Sequence, residues 1–100
     1  MRITVLGCGR WGSFLSWYHG QQREVTLWGR PGSKGLETLR AAGANRYVAL
    51  PSSVRLTDDL DKALSFADTV VISISAQQLR SLARELDTRP IAGKTFILCM

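Results

Sequence analysis

Three glycines near the amino end of the chain have a spacing that suits phosphate binding. Gly7, Gly9 and Gly12 follow the β-branched run Ile3–Leu6 and precede a helical stretch. In a G-x-G-x-x-G turn the first glycine allows a tight turn, the second lets a pyrophosphate approach the backbone, and the third lets helix and strand pack closely. Free N–H groups and the helix dipole then attract the phosphates. The pattern predicts a dinucleotide-binding turn, with a turn that binds no ligand as the alternative.

The residues between these glycines leave more than one interpretation open. Arg10 is expected either to add a cation beside the phosphates or to lie in solvent. Trp11 is expected to pack beside the nucleotide or to cover the edge of the sheet. Cys8 is interpreted as a small packing residue whose backbone serves the turn.

The end of the second predicted strand bears on which dinucleotide is bound. NAD-specific folds have an Asp or Glu about 20 residues after the glycine turn, which bonds the ribose hydroxyls of adenosine. Here that region is Trp28-Gly29-Arg30 and contains no carboxylate. Because Arg30 can form charge-assisted hydrogen bonds to a 2′-phosphate, the sequence favours NADP(H), with NAD(H) tolerated. A solvated surface arginine is the alternative.

Alternating β-prone and helical segments predict the scaffold that holds these residues. The expected strands are 3–6, 24–28, 54–56, 69–74 and 95–98. The expected helices are 13–19, a stretch around 36–42, one that runs through 60–67, and a segment that begins at 75 and includes 79–86. Strict alternation of this kind is typical of an α/β fold, here a Rossmann-like doubly wound parallel sheet in one domain.

Particular residues are expected to begin and end the helices. Gly20 and Gly43 suit the left-handed position at a helix C-terminus. Thr57 or Asp58 is expected to cap the third helix. Ser75, with Gln78 three positions later, has the spacing of a capping box at the start of the fourth helix.

Composition excludes several classes of protein. The chain has 100 residues, enough for one domain with one core, and a formal charge of +5. Its arginines are scattered, without the basic and aromatic run of a nucleic-acid surface, so no nucleic-acid partner is expected. No apolar run approaches the roughly 18 residues of a membrane span, and no signal peptide is expected. Two cysteines and one histidine predict a cytoplasmic protein without a metal site.

Three stretches resemble the bacterial NAD(P)-dependent glycerol-3-phosphate dehydrogenases, and the likeness extends over the whole chain. Gly7-Cys8-Gly9-Arg10-Trp11-Gly12-Ser13 is similar to the family's tryptophan-containing glycine turn. Val25–Arg30 resembles its second strand, which often ends in Trp-Ala/Gly-Arg or His. Val71–Arg80 resembles the V-P-S-Q-x-L-R segment after its fourth strand.

The resemblance implies roles for individual residues. Together, the glycine turn and the resemblance predict six cofactor-binding residues. They are Gly7, Gly9, Arg10, Trp11, Gly12 and Arg30. Tyr47, in a loop similar to the family's N-x-R-Y-L-P, is expected near the nucleotide. Departures from the pattern are Arg10 in place of a usual Ser, and Ser75-Ala76 in place of Pro-Ser.

The resemblance also implies that residues 1–100 form only the NAD(P)-binding domain of a longer enzyme. That enzyme reduces dihydroxyacetone phosphate to sn-glycerol 3-phosphate for phospholipid synthesis, and a homodimer is one candidate assembly. The family's substrate-binding lysine and its presumed acid–base lysine are expected beyond residue 100, the latter in a helical domain. No catalytic residue is therefore assigned here, Lys94 included, and the chain alone is expected to be inactive.

Other protein classes share parts of this pattern. A ketopantoate or 6-phosphogluconate dehydrogenase has the same kind of cofactor domain. A nucleotide-sensing regulatory domain and a methyltransferase share the glycine-rich first turn, but both usually have an acid after the second strand. Trp28-Gly29-Arg30 and the Gln77-Gln78-Leu79-Arg80 helix start favour the glycerol-3-phosphate dehydrogenase.

Overall fold

The computed structural model describes residues 1–99, and Met100 lies outside the described residues. Strands and helices alternate throughout this part of the chain. The strands are β1 (Arg2–Leu6), β2 (Glu24–Trp28), β3 (Val54–Thr57), β4 (Thr69–Ile72) and β5 (Thr95–Leu98). The helices are α1 (Arg10–Gly20), α2 (Lys34–Ala42), α3 (Leu60–Phe66) and α4 (Ala76–Asp87).

All five strands are parallel and lie in the order β3-β2-β1-β4-β5. This order corresponds to the first five strands of the doubly wound dinucleotide-binding sheet, so the predicted fold class is confirmed. After Arg2 every residue of β1 is buried, as is every residue of β2 after Glu24. The edge strands β3 and β5 are more exposed. The most apolar strands therefore occupy the centre, where helices cover both faces.

Two hydrophobic clusters cover the two faces of the sheet. On one face α1 and α2 pack through Leu15, Leu36 and Leu39 against β1 and β2. On the other face α3 and α4 pack against β1 and β4, and Leu82 of α4 is fully buried. This division follows from right-handed crossovers, which put helices on opposite faces when the chain reverses its direction across the sheet.

The two predicted glycine caps have different outcomes. Gly43 ends α2 in the left-handed conformation with φ 66°, so that prediction is confirmed. The prediction for Gly20 is wrong, because Gly20 is the last helical residue of α1 and Gln21 follows with φ −66°. Gly20 instead allows close packing, since a Cβ there would lie 2.7 Å from Cγ2 of Val54 and 2.9 Å from Cγ of Pro51.

Several other boundaries differ from the predicted ones, and one cap is confirmed. Helix α1 begins at Arg10, three residues before the predicted start. The cap of α3 is Asp59 rather than Thr57 or Asp58, and its carboxylate accepts from two backbone N–H groups. Strand β4 ends at Ile72, which pairs with Leu6, the last residue of β1. The chain turns at Gly7, so β1 has no further residue with which β4 could pair. Ser75 caps α4 as predicted, accepting from the N–H of Gln78.

His19 lies in the last turn of α1. A helix C-terminus favours a cation, but partial burial lowers the pKa of His19 below its ordinary value of 6.5, and the nearby Arg23 lowers it further. The folded protein therefore favours the neutral imidazole.

We expect the stability of the fold to decrease as the pH falls below about 6.5, because the unfolded chain binds the His19 proton more readily than the folded chain. NMR titration of the imidazole should give a pKa below that of a model peptide. In Arg23→Gln the pKa should rise toward the ordinary value. A His19 pKa above 6.5 in the unmodified protein would contradict this account.

Candidate cofactor-binding groove

An open groove of about 820 Å³ lies at the carboxyl ends of the strands. Its walls come from the segments after β1 and β4, residues 7–11 and 73–76, and from the end of β2 with the loop that follows it, residues 28–33. Cys99, after β5, also lines the groove. The groove spans the point between β1 and β4 where the strand order reverses. In open α/β sheets ligands bind at this switch point.

The glycine turn forms the floor of the groove. Gly7 has φ 116°, a conformation that L side chains rarely adopt, and its N–H donates to the carbonyl of Trp28 at 2.8 Å. A Cβ on Gly7 would overlap the backbone of Ser73, and a Cβ on Gly12 would overlap the carbonyl of Gly7. At Gly9, in contrast, a Cβ would meet nothing within 4 Å. Gly7 and Gly12 are thus required by packing, whereas Gly9 faces space that a ligand can occupy.

Helix α1 points an amino end without a side-chain cap toward this space. No side chain accepts a hydrogen bond from its first turn, and this turn contains no acidic residue. The helices α2 and α4 are different, because Ser33 and Ser75 accept from their first-turn N–H groups. The first-turn N–H groups of α1 and its dipole therefore offer a site for an anion.

The charged residues that line the groove within residues 1–99 are both arginines, Arg10 and Arg30. The guanidinium of Arg10 lies over the ring of Tyr47, 5.5 Å from its centroid. Tyr47 is therefore next to Arg10, and the expected contact of these two residues with a nucleotide stays a prediction. Together with the amino end of α1, the two arginines make the groove electropositive.

Asn45 holds the Tyr47 loop against α1, a role that the sequence did not reveal. Its Nδ2 donates to Oγ of Ser13 at 2.9 Å, and that hydroxyl donates to the carbonyl of Gly9 at 2.6 Å. Its Oδ1 accepts from the N–H groups of Tyr47 and Val48. Asn in a loop is a signal for such an Asx turn, because its side chain can bond the backbone two residues further on, but the contact with Ser13 depends on tertiary structure.

Arg30 is not the free surface cation that the alternative interpretation described. Its Nη2 lies 2.8 Å from Oε2 of Glu85 on α4, and its guanidinium lies over the Trp28 ring at 5.4 Å from the centroid. A carboxylate therefore does lie near the end of β2, but it comes from α4. One signal in the sequence could have indicated Glu85: it lies beside Leu82 and Leu86, which are buried, on the border of the apolar face of α4.

Trp11 and Cys8 have different positions in the turn. Trp11 lines the groove and is 58% exposed, with its ring edge-to-face with Phe14. Cys8 is buried, as predicted for a packing residue, and its Sγ lies 3.4 Å from Oγ of Ser33. A Cβ on Gly29 would lie 2.5 Å from that sulfur, so the two loops touch closely here.

Other chemistry-bearing side chains lie away from the groove. Lys94 Nζ donates to the carbonyl of Ala67 and lies 3.5 Å from Asp68, at the amino end of β5 and therefore at the opposite edge of the sheet. Asp61 pairs with Arg89. Within residues 1–99, no three His, Cys, Asp or Glu side chains form a group that could hold a metal, and no helix is long and apolar enough to cross a membrane.

The domain is a Rossmann-like α/β domain of the dinucleotide-binding type, as defined by the order of its strands, by the glycine turn and by the electropositive groove. The model of the N-terminal domain of NAD-dependent glycerol-3-phosphate dehydrogenases matches residues 2–100. The chain therefore belongs to this family, in agreement with the resemblance and against the other classes considered.

A relative in sequence agrees with this assignment, and two solved structures have the same fold. A glycerol-3-phosphate dehydrogenase [NAD(P)+] of Thiobacillus denitrificans is 37% identical over 99% of this chain, which covers 31% of that relative. A glycerol-3-phosphate dehydrogenase of Coxiella burnetii has the same fold, with TM-score 0.86 and 22% identity over 97% of this chain and 31% of its own. The enzyme of Saccharomyces cerevisiae matches all of this chain and 33% of its own, with TM-score 0.82 and 19% identity. The chain thus spans about a third of the length of these relatives.

The glycines of the turn make separable contributions that stability measurements can distinguish. We expect Gly12→Ala to lower the free energy of unfolding by about 1–3 kcal/mol or more, because the methyl group would overlap the Gly7 carbonyl. Gly9→Ala should change it by less than about 1 kcal/mol, because that methyl group would enter open space. Urea unfolding followed by tryptophan fluorescence measures both. Equal losses in the two variants would show that the turn is not packed as described.

Proposed function

We propose that this chain is the NAD(P)-binding part of an sn-glycerol-3-phosphate dehydrogenase, which reduces dihydroxyacetone phosphate to glycerol 3-phosphate for phospholipid synthesis. Membership of the family supports the reaction, and the names of the relatives support the cofactor. On this proposal residues 1–100 are the cofactor domain, and the rest of the substrate pocket comes from further parts of the enzyme.

The observation that carries the proposal is the opening above Gly9, between the amino end of α1 without a side-chain cap and the two arginines of the groove. The cofactor pyrophosphate would lie there, accepting from first-turn N–H groups of α1. Gly7 and Gly12 shape the turn, and Arg10 adds positive charge beside it. Trp11 shields the groove from water, and Arg30 binds the adenosine end.

A bound reduced nicotinamide supplies the hydride for the carbonyl carbon. The residues of this chain bind the phosphates, orient the cofactor and exclude water. No proton transfer is assigned to the described residues, since Lys94 lies at the far edge of the sheet. The acid that protonates the developing alkoxide is expected to be a lysine outside this chain.

We also propose that NADP(H) is preferred over NAD(H). The observations that support this preference are the guanidinium of Arg30 at the end of β2 and the absence of an acid in β2 after Glu24. A 2′-phosphate has about −1.5 to −2 charges at pH 7 and gains more from Arg30 than a hydroxyl does.

The location and assembly of the enzyme are predictions of the same proposal. The free cysteines Cys8 and Cys99 are compatible with a reducing cytoplasm. A homodimer stays a prediction that measurement of the molecular mass in solution would decide.

Titration of the chain with NADPH, NADH and S-adenosylmethionine tests the proposed ligand class. We expect NADPH to quench tryptophan fluorescence at lower concentration than NADH, because Trp11 and Trp28 line the groove. S-adenosylmethionine, which has no pyrophosphate, should bind much more weakly. Equal or absent binding of all three ligands would refute the proposal.

The same titration of the variant Gly9→Val tests whether the dinucleotides bind above the glycine turn. Its side chain would fill the opening above the turn, so we expect both dinucleotides to bind at least about tenfold more weakly, equivalent to about 1.4 kcal/mol. Unfolding in urea serves as the control, since the fold should survive the substitution.

The chain of 100 residues is expected to have no dehydrogenase activity by itself. It has the groove for the hydride donor, but Lys94 is too far from the groove to serve as the acid. The absorbance of NADPH should stay constant when the purified chain is mixed with dihydroxyacetone phosphate. Steady oxidation of NADPH that depends on this substrate would contradict the assignment of catalytic groups to other parts of the enzyme.

A further inference from the structure

The ion pair of Arg30 and Glu85 joins the end of β2 to α4 across one wall of the groove. Nη2 of Arg30 and Oε2 of Glu85 are 2.8 Å apart, and both atoms are buried although the side chains are 37% and 36% exposed. Neither atom makes a directed hydrogen bond in this contact. The pair is therefore held by charge and lacks the favourable angles of a bidentate arginine–carboxylate contact.

The position of Arg30 makes this pair relevant to the cofactor. Arg30 is two residues after the end of β2, where Rossmann-like domains place the adenosine ribose. Its guanidinium also lies over the Trp28 ring, so its orientation is held by two neighbours. A 2′-phosphate on that ribose would meet a guanidinium that already has an anionic partner.

We propose that Glu85 is a specificity-determining residue that competes with the ribose 2′-phosphate for Arg30. This inference rests on the proposed cofactor role of the groove. The phosphate carries more charge than the carboxylate and can replace it, but breaking the existing pair leaves a carboxylate with a buried oxygen. Glu85 therefore weakens the binding of NADP(H), does not oppose NAD(H), and keeps both cofactors usable.

The competition has a direct consequence for variants. Glu85→Gln removes the charge of the competitor and keeps the size of the side chain. We expect ligands with a 2′-phosphate to bind roughly tenfold more tightly to this variant, since hydrogen bonds to charged groups contribute on that scale. Ligands without that phosphate should bind with unchanged affinity.

Adenosine 2′,5′-bisphosphate and adenosine 5′-monophosphate isolate this contact, because they differ only in the 2′-phosphate. Their affinities for the chain are to be measured by calorimetry, together with those of NADPH and NADH. Glu37→Gln is the matched control, because it removes the same charge from α2 and should leave the ratio of the two affinities unchanged. In Arg30→Gln the further change Glu85→Gln should have no effect on the ratio.

The results of these measurements distinguish a failure of the role proposed for Glu85 from a failure of the proposed function. An unchanged ratio in Glu85→Gln, with both dinucleotides still bound, would overturn the role of Glu85 and leave the proposed function intact. An equal change for phosphorylated and unphosphorylated ligands would assign Glu85 a merely structural role and overturn it too. If neither the unmodified chain nor any of the variants binds NADPH or NADH, the proposed function fails, and this inference fails with it.

Discussion

The first turn of α1 lies directly on the backbone of the loop that precedes it, and the rest of the groove depends on this contact. Gly12 sits against the Gly7 carbonyl where no side chain fits, and Gly7 sits in the same way against Ser73 after β4. The N–H of Gly7 is bonded to the carbonyl of Trp28 at the end of β2. One turn thus joins the carboxyl ends of three strands and directs the amino end of α1 toward the groove.

The electrostatics of the groove follow from the same arrangement. Arg10 and Arg30 project from loops after β1 and β2, and each guanidinium lies over an aromatic ring. Rings of this kind attract cations and limit the number of orientations that a long side chain samples. The cations are thereby oriented before a ligand arrives, which lowers the entropy cost of binding an anion.

Doubly wound sheets serve many reactions, so the specific properties of this domain come from its loops and from contacts between elements. The Asn45 amide ties the Tyr47 loop to Ser13, and through that loop it brings an aromatic ring to Arg10. Glu85, on a helix that is otherwise part of the scaffold, reaches the guanidinium of Arg30. Both contacts join residues distant in sequence, and each orients an arginine that lines the groove.

The amino-acid sequence by itself determined the order of strands and helices, the doubly wound sheet, the glycine turn and the family. These properties depend on local patterns: β-branched runs, apolar faces at helical spacing, and glycines where the backbone must turn or pack closely. It also placed Arg30 correctly at the end of β2. Only the tertiary structure decided that Gly20 serves packing against Val54 and that Arg30 is paired with Glu85. These contacts join residues distant in sequence, and their partners are set by how α1 and α4 lie on the sheet, which no local pattern specifies.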